Sequence, residues 1–195
     1  IIIVTETNLP KQENLIYFGK NDEAHWVYNF SLPPLIINTF LFEDSKALTK
    51  WSMKMPPAQI GNAYLNIIAS HDGIGMRPAE GVLTDKEIKK MLQRLKKNGS
   101  QFSMRKLSNG EEKVYEANIS LFDALKFTDN DENGRFDLKR FIAAHCIILA
   151  IEGVPAFYFN SLFATKNDKK AFDSSCIKRN LNRYKWDYSS LVNLI

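Results

Sequence analysis

The sequence predicts an α/β protein in which helices cover a parallel β-sheet. Short apolar runs, rich in β-branched and aromatic residues, recur at 1–5, 26–30, 63–69 and 156–159. Such runs are typical of strands buried on both faces of a parallel sheet. Segments with helical spacing separate the runs, and this alternation is the pattern of an α/β fold. A chain of 195 residues with 45% apolar and 25% charged residues is large enough for one globular domain or two small ones.

The first predicted strand is Ile1–Thr5, which opens with four consecutive β-branched residues. Such a run reads as a buried parallel strand. Because the chain starts inside this run and without a methionine, we expect it to be an internal piece of a longer protein. If the parallel sheet is half of a closed β-barrel, this chain alone has an open sheet edge. We therefore do not expect it to fold independently.

The next elements are strand Trp26–Phe30, a helix and strand Ala63–Ala69. The second strand stops before Pro33 and Pro34, which cannot donate sheet hydrogen bonds but suit the first turn of a helix. Helical spacing then runs through Leu35–Trp51. These residues therefore predict a strand–helix–strand unit.

The segment Gly73–Leu125 interrupts the alternation and predicts an inserted α+β subdomain. Thr84–Lys97 has the spacing of an amphipathic helix, and Thr84 with Glu87 forms a capping-box sequence. Asn109-Gly110 then predicts a tight turn between two short strands, 101–106 and 113–119.

After the insert, Phe136–Ile151 predicts a long, mostly apolar helix, and Ala156–Phe159 a fourth buried strand. We divide the chain into residues 1–72, 73–125 and 126–195. Four strand–helix units fit half of an eight-stranded barrel, and a doubly wound sheet also fits. Neither a Gly-x-Gly-x-x-Gly turn nor a Gly-Lys-Ser/Thr phosphate loop is present.

The composition excludes several classes of protein. Two cysteines, Cys146 and Cys176, are too few for a disulfide scaffold or a four-cysteine zinc site. In the second half of the chain the uncharged stretch Phe141–Ile151 has 11 residues, short of the roughly 20 of a membrane span, and no targeting segment is visible. The net charge of +4 is scattered. We therefore interpret the basic stretch Lys166–Lys185 as a solvated loop, not a nucleic-acid site.

Four other features have plain structural readings. Residues 129–134 imitate the start of a calcium loop, but Arg140 stands where the loop needs Glu, so we predict a helix-entry loop with its N-cap near Asn133. His145 and Cys146 are expected to be packed in an apolar helix, with Cys146 a buried thiol. His25 is read as structural. Cys176 is read as an incidental thiol.

Polar side chains follow the first and third strands at their carboxyl ends. Glu6 comes after the first strand, and His71 and Asp72 come after the third. In a barrel these ends form one rim, which carries the active site. Carboxyl groups flanking a scissile bond suit glycoside chemistry, with one as proton donor and another stabilising an oxocarbenium-like transition state. Each carboxylate also has a plain alternative as a helix cap or salt-bridge partner.

Three strand sequences resemble the alpha-amylase superfamily. Ile-Val-Thr-Glu-Thr-Asn at 3–8 resembles its fifth barrel strand, Ile-Ala-Ser-His-Asp-Gly at 68–73 its seventh, and Gly-Val-Pro-Ala-Phe-Tyr-Phe at 153–159 its eighth. Within that superfamily, the segments at 31–35, 71–78 and 180–183 are similar to the sucrose phosphorylase group, which includes glucosylglycerate phosphorylases. The resemblance covers essentially all 195 residues.

The resemblance implies the C-terminal half of a (β/α)8 barrel and a role for five residues. Glu6 would be the acid/base, and Asp72 would stabilise the transition state. His71 and Arg183 would hold the glucose, and Arg77 would lie near the acceptor. The nucleophilic aspartate of the family would lie upstream of residue 1, so this chain alone is expected to be inactive.

The implied reaction is retaining phosphorolysis of an α-glucoside through a covalent glucosyl-enzyme. Inorganic phosphate is the co-substrate, and the resemblance implies no metal or organic cofactor, no nucleic acid, no membrane and a cytoplasmic location. Thr5 to Asn8, with Arg77-Pro78, favours the glucosylglycerate branch. Two alternatives stay open: a hydrolase of the same superfamily, and a sugar-binding chain without catalysis.

Overall fold

The computed structural model describes residues 1–20 and 22–193. Residue 21 of the predicted region 1–72, and residues 194 and 195 of region 126–195, lie outside the described residues. The strands are β1 (Val4–Thr5), β2 (Trp26–Tyr28), β3 (Ala63–Asn66), β4 (Ile74–Gly75), β5 (Gln101–Lys106), β6 (Glu112–Asn118) and β7 (Val154–Pro155). The α-helices are α1 (Lys11–Leu15), α2 (Leu32–Phe42), α3 (Lys46–Ser52), α4 (Asp85–Lys97), α5 (Leu121–Lys126), α6 (Asp137–Ala150), α7 (Phe159–Leu162), α8 (Lys169–Ser175) and α9 (Tyr188–Val192). Short 3₁₀ turns cover Ile16–Phe18, Arg77–Ala79 and Lys178–Asn182.

The main sheet of the described residues has the strand order β1-β2-β3-β7, and every pair is parallel. The predicted parallel α/β class is therefore confirmed. Each new strand adds next to the preceding one, without the reversal that defines a doubly wound sheet. The strand order thus favours the barrel-type arrangement over the doubly wound alternative.

The two outer strands of this sheet differ from the prediction. Residues Ile1 to Val4 are exposed instead of buried, and only Val4–Thr5 forms regular pairs. Within the described residues β1 is paired with a strand on one side only, so its other edge is not paired in a sheet. The fourth strand is Val154–Pro155, earlier and shorter than the predicted Ala156–Phe159, because a new helix starts at Phe159.

The predicted helix Leu35–Trp51 is two helices in the structure. The first begins at Leu32 with proline in its first turn, as expected, and ends at Glu43, whose φ of 54° is left-handed. The Asp44 carboxylate then accepts a hydrogen bond from the Lys46 backbone N–H at 2.9 Å and starts α3. Asp44 and Ser45 favour a turn over a continued helix. The prediction missed this local signal because the apolar spacing continues across it.

A second, antiparallel sheet has the order β4-β6-β5. The hairpin predicted around Asn109-Gly110 is confirmed, and Gly110 has the positive φ (84°) that this turn requires. The capping box before α4 is also confirmed. The Thr84 hydroxyl accepts from the Glu87 N–H, and the Glu87 carboxylate accepts from the Thr84 N–H at 2.7 Å.

One hydrophobic cluster joins the second sheet to the surrounding helices and to Ile68, which follows β3. It contains Leu35, Ile36 and Ile37 of α2 together with Met91 of α4 and Ala117 of β6, all at most 1% exposed. Helix α2 is apolar around its circumference, which is why helices and strands pack on several of its faces. At about 1.5–3 kcal/mol for each large apolar side chain, this burial is the main stabilising contribution. The inserted segment thus shares one core with helices α2 and α6.

A buried asparagine links three neighbouring strands. Asn66 is fully buried; its Oδ1 accepts from Asn29 Nδ2 at 3.1 Å, and its Nδ2 donates to the Glu152 carbonyl at 3.0 Å. Gly153, with φ of 132°, lets β7 approach because a Cβ there would lie 2.5 Å from the Tyr64 carbonyl oxygen. These contacts hold β7 against β3 beneath the site.

The entry into α6 differs in detail from the prediction. The N-cap is Phe136, not a residue near Asn133. The Asp131 carboxylate accepts from the backbone N–H groups of Arg135 and Phe136 at 2.8 and 2.9 Å and pairs with Arg140 at 2.8 Å. Asp131, six residues before α6 begins, therefore holds the loop that leads into the helix, and Phe136 itself makes no side-chain cap.

The histidines 25 and 145 are structural, as predicted, but Cys146 is not buried. His25 Nδ1 accepts from the Ile3 N–H at 3.1 Å. The ring of His145 packs between those of Phe141 and Phe157, at centroid distances of 4.5 and 5.5 Å. Cys146, which was expected inside, is exposed and free because it faces away from the core side of α6. Within the described residues, the helices are too short or too polar to cross a bilayer.

Candidate active site

A cleft lies where β1 and β3 end. It is lined by residues from five parts of the chain: Glu6, Asn8, Phe30, His71, Asp72, Gly73, Tyr115, Glu116 and Arg179. The carboxyl ends of parallel strands meet at one edge of a sheet, and the inserted hairpin closes that edge. The structure therefore brings three carboxylates, a histidine and an arginine to one opening.

Glu6 enters the cleft directly after β1, and its side chain is exposed. Tyr28, at the end of β2, lies between the two acidic sides of the cleft. Burial raises the pKa of the Tyr28 phenol, and the negative charges of Glu6 and Asp72 raise it further. Glu6 and Asp72 line the same cleft.

Asp72 is held by a set of contacts to its Oδ1. Arg179 Nη1 lies 2.6 Å from this oxygen, and Arg183 Nη2 donates to it at 3.2 Å. The neighbouring His71 Nε2 lies 3.6 Å away. The backbone N–H of Asp72 also donates to the Ser70 hydroxyl at 3.1 Å. Two guanidinium groups therefore face one half-buried carboxylate.

The turn Lys178–Asn182 positions these arginines and pins the backbone below them. Asn182 is buried, and its Nδ2 donates to the carbonyl oxygens of His71 and Asp72 at 3.2 and 2.9 Å. Arg183 Nε donates to the same His71 carbonyl at 2.6 Å. Leu181, at 2% exposure, anchors the turn in the protein. The loop after β3 is therefore fixed through its main chain as well as its side chains.

Arg179 joins the cleft to the inserted hairpin. Its Nη2 and Nε donate to the two carboxylate oxygens of Glu116 at 2.6 and 3.2 Å. The pKa of Arg179 is raised, mainly by these hydrogen bonds and then by the charges of Glu116 and Asp72. Parallel hydrogen bonds of this kind fix both orientation and charge.

Two glycines allow the hairpin and the β1 loop to come this close. A Cβ on Gly73 would lie 2.9 Å from the Ala117 carbonyl oxygen. A Cβ on Gly75 would lie 2.8 Å from the Asn8 Cγ. The absence of side chains at Gly73 and Gly75 thus allows β6 and Asn8 to pack directly against this segment.

The structure gathers four of the five predicted site residues. Glu6, His71 and Asp72 line the cleft, and Arg183 contacts Asp72. Arg77 is instead held beside α1, 3.9 Å from the Glu13 carboxylate, and is not among the residues that line this cleft in the described chain.

Sequence reasoning missed Arg179, Glu116 and Asn182. Arg179 stands four positions before Arg183, and this spacing was the available signal for it. Glu116 had none, because its position beside Asp72 depends on how β6 pairs with β4. In the part of the chain that the structure describes, no cluster of three His, Cys, Asp or Glu side chains is arranged to hold a metal ion.

Comparisons with known proteins show which proteins the chain is similar to. No family model matches the chain. The chain is 38% identical to a glucosylglycerate phosphorylase of Allomeiothermus silvanus, over 98% of the chain and 34% of that protein. It is 30% identical to a sucrose phosphorylase of Streptococcus mutans, over 87% of the chain and 33% of that protein. The chain therefore spans about a third of the length of the curated relatives it matches, and the resemblance to this group is confirmed.

A solved structure has the same fold. The crystal structure of sucrose 6F-phosphate phosphorylase from Thermoanaerobacter thermosaccharolyticum superposes with a TM-score of 0.82 at 21% identity, covering 99% of this chain and 37% of that one. The chain thus has the same mixed α/β fold with a parallel sheet as the matching part of that phosphorylase structure.

Proposed function

We propose that this chain is part of a retaining α-glucoside phosphorylase of the sucrose phosphorylase group. The observation that carries the proposal is the cleft that contains Glu6, His71 and Asp72, in a chain that is similar to such phosphorylases along 98% of its length. We place β1 as the fifth strand, β3 as the seventh and β7 as the eighth strand of a (β/α)8 barrel. The inserted segment 73–125 then follows the seventh strand.

In this proposal Glu6 is the general acid and base. As the bond from C1 to the acceptor oxygen breaks, the Glu6 carboxyl gives its proton to that oxygen, and a carboxylate from another part of the enzyme bonds to C1. A phosphate oxygen then attacks C1, the bond to the enzyme breaks, and the Glu6 carboxylate takes the proton of the incoming phosphate. Two inversions give α-glucose 1-phosphate with retained configuration.

Asp72 stabilises the positive charge that develops on the sugar ring. Its carboxylate binds sugar hydroxyl groups, and that interaction strengthens in the transition state. His71 donates a hydrogen bond to the same glucose. Arg183 closes the pocket beside Asp72, to whose Oδ1 it donates a hydrogen bond of 3.2 Å. Inorganic phosphate is the co-substrate, and we propose no metal or organic cofactor.

For the acceptor we propose glycerate. The identity to glucosylglycerate phosphorylases, 36–38%, exceeds the 30% to a sucrose phosphorylase. An anionic acceptor suits a cleft edge that carries arginines. We propose that Arg77, whose Nε is buried without a hydrogen-bond partner among the described residues, serves the acceptor side.

Phosphorus NMR of the complete protein that contains this chain tests the function. Inorganic phosphate is supplied with sucrose, sucrose 6′-phosphate, glucosylglycerate or glucosylglycerol in parallel. A new α-glucose 1-phosphate signal is expected with glucosylglycerate. Glucose release without phosphate consumption contradicts the proposal in favour of a hydrolase, and binding of a glucoside without turnover contradicts it in favour of a sugar-binding protein.

A further inference from the structure

Glu116 is a buried carboxylate that the roles above do not use. It sits on β6 of the inserted hairpin, is 4% exposed, and faces the cleft. A buried charge is costly unless it is paired and hydrogen-bonded. Its pairing with Arg179, through two hydrogen bonds of 2.6 and 3.2 Å, meets that requirement.

Arg179 connects this buried carboxylate to Asp72. With Nε and Nη2 engaged by Glu116, the guanidinium offers Nη1, and this nitrogen lies 2.6 Å from Asp72 Oδ1. Arg183 adds a second positive charge to the same Oδ1. The positive charges of Arg179 and Arg183 thus neutralise the negative charges of Asp72 and Glu116. Arg179 directs two of its nitrogens to Glu116 and one to Asp72.

We propose that Glu116 is a positioning residue that orients the Arg179 guanidinium so that only one of its nitrogens, Nη1, faces Asp72. The inference rests on the proposed function for its kinetic consequence. By engaging two guanidinium nitrogens, Glu116 keeps Arg179 from closing on Asp72 with two parallel hydrogen bonds, the strong geometry of arginine–carboxylate pairs. Because the described contacts of the Asp72 carboxylate all go to Oδ1, its other oxygen then remains available to bind sugar hydroxyls as charge develops on the ring. The inserted hairpin thereby takes part in setting the reactivity of the site.

Removing the negative charge of Glu116 should therefore slow turnover through Asp72. Glu116→Gln keeps the size of the side chain but weakens its hydrogen bonds to Arg179. The guanidinium can then turn toward Asp72. In the complete protein we expect kcat to fall at least tenfold, while KM for the glucoside changes less than threefold. The matched control is Glu112→Gln, an exposed glutamate on the same strand, with unchanged kcat and KM.

A double variant separates this role from a merely structural one. If Glu116 acts by restraining Arg179, then Glu116→Gln has no further effect on kcat in an Arg179→Gln protein. If Glu116 only supports the hairpin, the two losses multiply and the melting temperature falls in proportion, a result that overturns the proposal. An unchanged kcat in Glu116→Gln also overturns it.

A binding measurement keeps the inference independent of the proposed reaction. Calorimetric affinity for 1-deoxynojirimycin, a glucose-shaped cation, reports on Asp72 without turnover. We expect at least a tenfold loss of affinity in Glu116→Gln and none in Glu112→Gln, including when the wild-type protein proves to be a hydrolase or shows no turnover. Equal affinity in both variants, or no binding by the wild type, overturns the assignment.

Discussion

The Asn182 side chain donates a hydrogen bond of 2.9 Å to the main-chain carbonyl of Asp72, across 110 residues of sequence. With its second bond to the His71 carbonyl, this buried amide holds the backbone from which both side chains extend. The loop after β3 is therefore positioned by a segment that follows the sheet's last strand.

The first prediction concerns that amide. Asn182→Ala removes a donor from two carbonyl groups and should lower the free energy of unfolding by about 1–3 kcal/mol. Activity should fall as well, because the loop carrying Asp72 loses its support. Urea unfolding and steady-state kinetics of the complete protein measure both effects. Asn180→Ala is the control, since the Asn180 side chain donates its hydrogen bond to the exposed Ser175 hydroxyl, away from the Asp72 loop. Equal behaviour of the two variants would contradict the role.

The second prediction tests Glu6 as acid and base. Glu6→Gln should lower kcat on an unactivated glucoside by about 10²–10⁴-fold. Formation of the glucosyl-enzyme from α-glucosyl fluoride should be much less affected, because fluoride leaves without protonation. Rapid-quench measurements with both donors give the two rates. Glu23→Gln, at an exposed glutamate, is the control. Near wild-type turnover of the unactivated glucoside by Glu6→Gln would sink the assignment.

The third prediction concerns the close approach of β6 to Gly73. Gly73→Ala places a Cβ 3.0 Å from the Glu116 Cβ and 2.9 Å from the Ala117 carbonyl oxygen, so the hairpin or the Asp72 loop must move. We expect a loss of stability of about 1–3 kcal/mol from overpacking, together with reduced kcat.

Gly81→Ala provides the comparison for Gly73. Gly81 has a φ of 78° and open space around its Cβ position, so only backbone strain of about 1–2 kcal/mol is expected, with kcat unchanged. Melting temperature and kcat for the two variants distinguish crowding at the site from general strain. A Gly73→Ala protein with normal kcat would show that the contact is not needed.

The fourth prediction is a pH dependence. Backbone hydrogen bonds from Phe136 and Arg135, and the pairing with Arg140, lower the pKa of Asp131 below the ordinary value of about 3.9. A lowered pKa means that the stabilisation is present above the unfolded-state pKa and is lost as the pH falls through the folded-state pKa. Asp131→Asn should therefore be less stable at pH 7 and lose less melting temperature between pH 6 and pH 3.

Thermal melts of the complete protein across this pH range test the Asp131 prediction. The exposed Asp173→Asn serves as control and should follow the wild-type curve. If Asp131→Asn parallels the wild type down to pH 3, the carboxylate does not stabilise the start of α6.

The fifth prediction concerns the capping box of α4. Thr84→Ala removes the side-chain acceptor for the Glu87 N–H and should cost about 1 kcal/mol of stability. Thr49→Ala, in an exposed position inside α3, should be neutral or slightly stabilising because alanine favours the helix. Chemical denaturation of both variants decides; equal stabilities would show that the cap contributes nothing.

Much of the fold was predictable because its signals are local. The capping box at Thr84 and Glu87, the Asn109-Gly110 turn and the apolar strands depend on neighbouring residues in the chain. The break at Glu43 was missed because the apolar spacing continues across it. Cys146 was placed on the wrong side of α6, since a helix that is apolar on several faces does not reveal which face is covered.

The sequence by itself determined the parallel α/β class and the positions of Glu6, His71 and Asp72 at strand ends, because side-chain pattern and strand direction decide where such residues emerge. Only the tertiary structure decided what surrounds Asp72. The pairing of β6 with β4 brings Glu116 to the cleft, and the turn at 178–182 adds Arg179 beside it. The contacts of Arg179 with Glu116 and Asp72 join residues more than 60 positions apart. No local pattern specifies them, because they depend on how separate segments pack against one another.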